Sequence, residues 1–256
     1  MTSLLNKIVF ITGASSGIGR ASALAFASAG ADLIIAARRM ERLKDLENEI
    51  NGRYNIDVLS LQLDVRNKND VKKAIASLKD KWRNIDILLN NAGLARGASK
   101  IHEGDTEHWD EMIDTNVKGL LYVSREVIPL MTARMEGHVI NMGSLAGHEV
   151  YPNGNVYCAS KFAVNGISRA MRVDLYDKNI RVTTIDPGMV ETEFSEVRFS
   201  GDKHRAKKVY EGWTPLSAAD IAETILWCAQ RPAHVNISEV IIMGTAQGST
   251  TLLHKK

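Results

Sequence analysis

Cysteine is scarce in this sequence. Only Cys158 and Cys228 occur in 256 residues, too few for a disulfide framework and without the spacing of a cysteine metal site. His148-Glu149 begins like a zinc-protease motif, but Pro152 stands where the second histidine is required. Runs of about 18 apolar residues and a signal-peptide core are also missing. We therefore expect a cytoplasmic protein that binds no metal and no membrane.

The sequence also has no strong excess of positive or negative charge. The sequence has 32 basic and 30 acidic residues, a net charge of +2, which provides no field that would attract nucleic acid. Internal repeats, low-complexity tracts and Pro/Gly/Ser linkers are absent. Since 45% of the residues are hydrophobic, a chain of this length can bury a sizeable core. We expect one domain over residues 1–256.

Short β-branched runs alternate with longer helical patterns. The strand patterns cover residues 8–11, 33–35, 58–61, 85–89, 138–140, 182–185 and 240–242. The helical patterns cover residues 17–29, 41–50, 69–82, 106–131, 155–178 and 218–230. Such alternation indicates parallel strands joined by right-handed crossovers. The sequence predicts an α/β fold, a doubly wound, Rossmann-like parallel sheet of about seven strands with helices on both faces.

One long segment, residues 187–215, shows no clear period. It is too long for an ordinary connection, and segments of this kind are commonly functional. It follows a strand whose carboxyl end should border the ligand crevice of a doubly wound sheet. We expect it to be a lid over a substrate.

A glycine-rich turn follows the first strand directly: Thr12-Gly13-Ala14-Ser15-Ser16-Gly17-Ile18-Gly19. Gly13 permits the tight turn, Gly17 lets backbone N–H groups approach a pyrophosphate, and Gly19 allows the helix to pack against the strand. A simple glycine-rich turn is the alternative. The strand-turn-helix context favours dinucleotide binding.

The residues after the second strand bear on the choice of dinucleotide. NAD-binding folds carry an acid there for the free ribose 2′-hydroxyl, whereas this chain has Arg38 and Arg39. A guanidinium is a planar donor for a 2′-phosphate, so the sequence predicts NADP(H). Two solvated arginines are the alternative.

Tyr157 and Lys161 are four residues apart within a helical pattern, which places them on one face of a helix. A neighbouring cation favours the ionised form of a phenol and lowers its pKa. Tyr157 could then exchange a proton with an alcohol or a carbonyl. The spacing alone is weak evidence, because it often occurs by chance.

In combination, these motifs resemble the short-chain dehydrogenase/reductase family. The resemblance spans essentially the whole chain and includes Asn90-Asn91-Ala92-Gly93, Asn116, Asn141-Met142-Gly143-Ser144, and Pro187-Gly188 with Thr192. It implies a hydride-transferring oxidoreductase acting on a CH–OH group.

The resemblance also implies a catalytic tetrad of Asn116, Ser144, Tyr157 and Lys161. Ser144 would hold the substrate oxygen against Tyr157, which exchanges the proton. Lys161 would stabilise the phenolate and bind the nicotinamide ribose, and Asn116, opening a helix, would hold a water of a proton relay. As alternatives, Asn116 is a polar helix residue and Ser144 a turn residue.

The expected cofactor-binding residues follow from the glycine loop and from the resemblance. They are Gly13, Ser15, Ser16, Gly17, Ile18, Gly19, Arg38, Arg39, Asp64, Val65, Asn91, Tyr157, Lys161, Pro187, Val190 and Thr192. Asp64 and Val65 would line the adenine, Asn91 the adenosine ribose, and Val190 and Thr192 the carboxamide. Asp64 could instead be an acid at a helix N-terminus.

Three stretches resemble a narrower branch, the NADP-dependent dehydrogenases of serine, allo-threonine and other 3-hydroxy acids. They are residues 82–88, 191–199 and 232–236. A substrate carboxylate needs a cation, because an unpaired buried charge is costly. Arg198, with Ser144 and Tyr157, is the expected substrate contact, and Arg96 is the second choice; an exposed Arg198 without such a role is the alternative.

Two other functions stay open. A reductase of 3-oxoacyl chains on a carrier protein, or another carbonyl reductase, shares the tetrad and could dock on Arg125, Arg169 and Arg172. A dinucleotide-sensing protein is less favoured, because all four tetrad positions are filled.

The family resemblance further implies a homotetramer or dimer that pairs the two long helices. The apolar side chains of the second long helix are compatible with such pairing and equally with core packing: Phe162, Val164, Ile167 and Met171.

Overall fold

The computed structural model describes residues 2–255, in which strands and helices alternate. The strands are β1 (Ile8–Thr12), β2 (Asp32–Ala37), β3 (Val58–Gln62), β4 (Ile85–Asn90), β5 (Gly137–Met142), β6 (Ile180–Pro187), β7 (Val190–Glu191), β8 (Leu216–Ser217) and β9 (Glu239–Ile242). The helices are α1 (Gly17–Ser28), α2 (Met40–Asn51), α3 (Lys68–Ala76), α4 (Thr106–Ile113), α5 (Leu120–Thr132), α6 (Asn155–Leu175), α7 (Phe194–Arg198), α8 (Lys203–Lys208) and α9 (Ala218–Ala229).

Seven strands form one sheet in the order β3-β2-β1-β4-β5-β6-β9, and every neighbouring pair is parallel. The chain winds outward from β1 to β3 and then crosses to β4 on the other side of β1. This reversal leaves a crevice at the carboxyl ends of β1 and β4, where doubly wound sheets bind ligands. The predicted Rossmann-like sheet of about seven strands is confirmed.

Strand β1 shows why helices must cover both faces of the sheet. Val9 and Ile11 belong to the core beneath α1, α2 and α9, whereas Ile8 and Phe10 belong to the core beneath α3, α5 and α6. All four are at most 3% exposed. Burial of each such side chain stabilises the fold by about 1.5–3 kcal/mol, so the continuous apolar run is explained by two cores.

The structure corrects several predicted boundaries. The helical pattern over 106–131 is α4 and α5 joined by a π-helical stretch, Asp114–Gly119. The pattern over 69–82 divides into α3 and a 3₁₀ turn at Asp80–Arg83, and α6 ends at Leu175 before another 3₁₀ turn. Among the described helices, none is both long and apolar enough to cross a membrane.

The lid segment, residues 187–215, contains more regular structure than its sequence indicates. It includes β7, α7 and α8, and β7 pairs with β8 through Val190 and Leu216. The sequence prediction missed these elements because helices of five and six residues are too short to show a period.

Candidate active site

A cavity of about 330 Å³ opens at the carboxyl ends of β1 and β4. It is lined by most of the predicted cofactor-binding residues: Gly13, Ser15, Ser16, Gly17, Ile18, Arg38, Arg39, Asp64, Val65, Asn91, Tyr157, Lys161, Pro187, Val190 and Thr192. Ser144 also lines it. Gly19 and Asn116 do not line the cavity themselves. Each contacts a residue that does: Gly19 packs against Gly13, and Asn116 is hydrogen-bonded to Leu94.

The glycine-rich loop is held against the loop that follows β4. Gly13 has φ +67°, and a Cβ there would lie 2.9 Å from the Cα of Ala92, so a larger residue would push the loops apart. The Thr12 hydroxyl accepts hydrogen bonds from the backbone N–H groups of Asn91 and Ala92 at 3.0 and 3.1 Å. The Asn91 amide donates to the Thr12 carbonyl at 2.9 Å.

Helix α1 begins at this loop and directs its amino terminus toward the cavity. Gly17 has φ +51°, and a Cβ there would lie 3.4 Å from the Thr192 side chain of the lid. The backbone N–H groups of the first turn have no carbonyl partners within a helix, which makes such a terminus an anion site. At Gly19 a Cβ would lie 2.4 Å from the Gly13 carbonyl oxygen, so this glycine permits close packing.

Arg38 and Arg39 are exposed at the rim of the cavity. Arg39 Nη2 donates to the hydroxyls of Ser15 and Ser16 at 3.1 and 3.0 Å, so its guanidinium stands over the glycine loop. Arg38 Nη1 lies 3.8 Å from Glu111. The arginines therefore occupy the end of β2, where an NAD-binding fold carries an acid.

Asp64 faces the same end of the cavity. Burial raises its pKa, but the hydrogen bonds from Arg66, one of them 2.6 Å long, outweigh burial and hold the pKa below its usual value. The cap of α3 is Asn67, whose side chain accepts from the backbone of Asn69 and Asp70. Asp64 is thus not the helix cap that was its alternative role.

Tyr157 and Lys161 lie on one face of α6 and line the cavity together. The Lys161 Nζ atom is 5.9 Å from the centroid of the Tyr157 ring and donates to the Met142 carbonyl at 2.8 Å. Burial lowers the pKa of Lys161 to about 8, and Asp186 opposes this shift. The ammonium is therefore close to its titration point at mildly alkaline pH.

The predicted lowering of the Tyr157 pKa is wrong for this structure. Burial raises the pKa of the phenol well above its ordinary value, Tyr151 adds to the increase, and hydrogen bonding to Ser144 opposes it. Desolvation disfavours the phenolate more than the nearby charges favour it. A lowered pKa requires further positive charge beside the ring.

Ser144 is positioned by the strands on either side of it. Its backbone N–H donates to Asp186 Oδ1 at 3.0 Å, and its hydroxyl accepts from the Ala146 N–H at 3.1 Å. A Cβ at Gly143 would lie 1.9 Å from the same Asp186 oxygen. The loop between β5 and the turn at Leu145–Gly147 therefore presents the Ser144 hydroxyl in one orientation.

Asn116 is buried in the π-helical stretch rather than at the start of a helix. Its amide accepts from the Leu94 N–H and donates to the Leu94 carbonyl, both at 2.8 Å, and donates to the Ser160 hydroxyl at 3.0 Å. These bonds connect the loop after β4 to α6. Such π-helical turns occur frequently at functional sites.

A second cavity, of about 140 Å³, adjoins the first beneath the lid. Ser144, Tyr157 and Arg198 all line it. Arg198 donates to the Tyr151 hydroxyl at 3.0 Å and to the Gly97 carbonyl at 3.2 Å. The expected substrate contacts therefore meet in one pocket.

The second-choice cation, Arg96, has other partners. Its Nε donates to Glu111 at 2.6 Å and its Nη1 donates to the Val197 carbonyl at 2.9 Å. Arg96 thus connects α4 to the lid, and Arg198 is the arginine in the pocket.

Some residues that line the first cavity escaped the sequence prediction. They include Gly93, Leu94, Thr115, Met142, Glu193 and Phe194. Leu94 and Thr115 are apolar or small residues beside predicted ones, so proximity in sequence was an available signal. Phe194, whose ring lies 5.6 Å from that of Tyr157, belongs to the predicted lid and to the stretch 191–199, but only the folded lid shows that its ring meets Tyr157.

The fold and this site define a dinucleotide-linked oxidoreductase, and the chain belongs to the short chain dehydrogenase family, whose model matches residues 7–203. An NADP-dependent 3-hydroxy acid dehydrogenase of Salmonella typhi is 47% identical over 241 residues, which cover 94% of this chain and 96% of that protein. Sulfoacetaldehyde reductase 2 of Chromohalobacter salexigens is 43% identical over 95% of this chain and 96% of its own.

A solved structure agrees with the assignment to this family. The closed form of a serine dehydrogenase complexed with NADP⁺ has a TM-score of 0.92 and 43% sequence identity. The match covers 97% of this chain and 100% of that chain. The similarity therefore includes the lid as well as the sheet.

Proposed function

We propose that the protein transfers hydride between NADP(H) and a 3-hydroxy acid, such as serine, allo-threonine or 3-hydroxyisobutyrate. The proposal depends on one observation. Ser144, Tyr157 and Arg198 line the same pocket, and that pocket adjoins the cavity of the glycine loop. The names of the relatives support the same substrate class.

The residues around the large cavity fit NADP. Gly13 and Gly17 leave room that a Cβ would fill, and the amino terminus of α1 suits a pyrophosphate. Arg38 and Arg39 would hold the 2′-phosphate, since no acid replaces them at the end of β2. When bound, NADP supplies the hydride acceptor or donor of the reaction.

In the oxidation direction, the Ser144 hydroxyl and the Tyr157 phenol hold the hydroxyl oxygen of the substrate. Tyr157 takes the hydroxyl proton as the hydride leaves the same carbon, and it returns the proton in the reverse direction. Because burial raises the pKa of Tyr157 even beside Lys161, the phenolate needs further positive charge, which the nicotinamide ring of NADP⁺ would add to that of Lys161. Asn116 positions α6 through Ser160.

Arg198 gives the pocket its preference for an anion. Its guanidinium lines the same cavity of about 140 Å³ as Ser144 and Tyr157, a volume that suits a small hydroxy acid. A sulfonate is also an anion of this size, which agrees with the reductase of sulfoacetaldehyde among the relatives. A carrier-protein substrate has less support, since Arg172 donates to the backbone carbonyls of Val182 and Ser238.

A substrate panel tests the assignment. With NADP⁺, we expect kcat/KM for 3-hydroxy acids to exceed that for simple alcohols by about 100-fold, the effect of roughly 3 kcal/mol of carboxylate binding. Sulfoacetaldehyde and an acetoacetyl thioester are assayed with NADPH. A higher kcat/KM for the thioester or for neutral alcohols would overturn the proposal.

A homotetramer or dimer, formed through the two long helices, is part of the proposal. Along α6, Phe162 and Val173 are 45% and 72% exposed, and a Cβ at Gly166 would meet open space. Val164, in contrast, is buried in the subunit. Light scattering after gel filtration should give a multimer that Phe162→Glu dissociates, whereas Leu5→Glu, at a distant exposed leucine, leaves it intact.

A cytoplasmic location completes the proposal. It is supported by the two cysteines, Cys158 and Cys228, which are both buried and free. Cell fractionation with a marker enzyme for each compartment would test it, and recovery with an extracytoplasmic marker would refute it.

A further inference from the structure

Three side chains with ligating atoms meet outside both cavities. His148 follows the turn after β5, Asp186 lies in β6, and Glu239 begins β9. His148 Nε2 is 3.5 Å from Asp186 Oδ2 and 3.7 Å from Glu239 Oε1, and all three atoms lie within 4.8 Å of one another. Glu239 pairs with Thr184, two residues before Asp186, so the two carboxylates share one face of the sheet.

The Asp186 carboxylate provides the second observation. It is 0% exposed, and its Oδ1 accepts from the Ser144 N–H. Its Oδ2, directed at the cluster, has no hydrogen-bond partner within the described residues. A buried carboxylate oxygen that makes no hydrogen bond is costly, and a cation bound between it and His148 would reduce that cost.

We propose that His148, Asp186 and Glu239 bind a divalent transition-metal ion, for which Zn²⁺ is the best match. One imidazole and two carboxylates form a ligand set that zinc accepts. Bonds of about 2.0–2.2 Å in tetrahedral geometry separate ligand atoms by roughly 3.3–3.6 Å, close to the two distances from His148. The His148 and Glu239 side chains are 20% and 28% exposed, which leaves a route for the ion and a fourth position for water.

Two existing contacts would change when the ion binds. Asn165 Nδ2 lies 3.0 Å from His148 Nε2 and also donates to the Gly147 carbonyl at 3.2 Å. The ion would take the imidazole lone pair, and Asn165 would keep its second bond. Arg169 Nη2 is 3.8 Å from Glu239, but the Arg169 side chain is 64% exposed and free to turn toward solvent.

The site would stabilise the fold rather than take part in hydride transfer. Its three ligands are absent from the lining of both cavities in the part of the chain that the structure describes. Through Asp186 the ion would be joined to the backbone of Ser144, and it would bridge β6, β9 and the turn after β5. A ligand that binds only the folded state stabilises it by mass action.

The test uses the full chain, stripped with a chelator and then titrated with zinc chloride. We expect one equivalent of zinc to remain after desalting, and the melting temperature to rise by about 5–10 °C at 100-fold excess over Kd. His148→Ala and the conservative Glu239→Gln should each weaken zinc binding at least tenfold, which reduces the thermal shift at the same zinc concentration to about half or less. His204→Ala, an exposed histidine in α8, is the matched control and should behave as the unmodified protein.

Two outcomes would overturn the proposal. The first is no zinc retained by the folded, unmodified protein, which would mean that His148 alone neutralises Asp186. The second is equal zinc binding by Glu239→Gln and the unmodified protein, which would assign the ion to surface histidines. Magnesium chloride serves as a further arm, because a hard ion that avoids imidazole should give no shift at the same concentration.

Discussion

Glu193, in the lid, accepts hydrogen bonds from Arg42 Nη1 at 2.7 and 2.8 Å, and it also accepts from Arg39 at 3.3 Å. Arg39 is one of the two arginines proposed to hold the 2′-phosphate of NADP. The lid is therefore connected through one carboxylate to an arginine proposed to bind the cofactor, and that carboxylate would compete with the 2′-phosphate for Arg39.

Glu193→Gln should strengthen NADP binding, because it removes a competing negative charge. Exposed ion pairs contribute about 0.2–1 kcal/mol, so we expect KM for NADP⁺ to fall up to about fivefold at low salt, with KM for NAD⁺ unchanged. Glu49→Gln, which changes a surface carboxylate paired with Arg53, is the control. Equal changes in KM for NADP⁺ and KM for NAD⁺ would show that Glu193 affects cofactor binding independently of the 2′-phosphate.

Arg38→Asp should reverse the cofactor preference. An acid at the end of β2 repels a 2′-phosphate and accepts from a free ribose hydroxyl. We expect KM for NADP⁺ to rise by about 30-fold or more, the effect of roughly 2 kcal/mol, and KM for NAD⁺ to change little or to fall. Steady-state kinetics with Arg53→Asp as control would show whether an acid placed elsewhere on the surface, just beyond the end of α2, has the same effect.

Tyr157→Phe should abolish turnover and leave the cofactor bound. Removing the proton-transferring group costs about 10²–10⁴ in rate, while the ring and its contact with Phe194 remain. Single-turnover kinetics and NADPH fluorescence measure the two effects. Tyr151→Phe, in the same pocket, is the matched control, and substantial activity in Tyr157→Phe would refute the mechanism.

Lys161→Met should inactivate the enzyme and stabilise its fold at neutral pH. The buried ammonium has a pKa of about 8 in the folded protein, compared with 10.5 for an ordinary lysine. Below pH 8 both folded and unfolded lysine are charged, and folding carries the full desolvation cost. Between pH 8 and 10.5 the folded lysine is neutral while the unfolded lysine is still charged, so the cost falls steadily with rising pH and is lost only above 10.5.

We therefore expect the variant to gain about 3 kcal/mol of unfolding free energy at pH 7 and much less at pH 10.5. Urea denaturation at the two pH values measures the difference. An equal gain at both would assign the effect to packing of the methionine rather than to charge.

Arg198→Ala should reduce kcat/KM for hydroxy acids by about 30- to 100-fold, because a desolvated carboxylate loses its guanidinium partner. Neutral alcohols should lose less than about threefold. Arg205→Ala is the control in the same lid, since the Arg205 guanidinium stacks on Phe199 at 4.3 Å and lies outside the pocket. Equal losses for charged and neutral substrates would mean that Arg198 only holds the lid through Gly97.

The sequence by itself determined the features that depend on short stretches of chain. The continuous apolar run of β1 specifies a strand buried on both faces, and the glycines at 13 and 17 specify the turn into α1, because φ near +60° is costly for other residues. Spacing of four on a helix brought Tyr157 and Lys161 to one face.

Only the tertiary structure decided what depends on burial and on distant partners. It placed Arg198 in the pocket and engaged Arg96 with Glu111, a choice that neither local sequence contains. It raised the pKa of Tyr157, because desolvation is a property of the surrounding fold. It also brought His148 to Asp186, since adjacent positions in a parallel sheet come from stretches far apart along the chain.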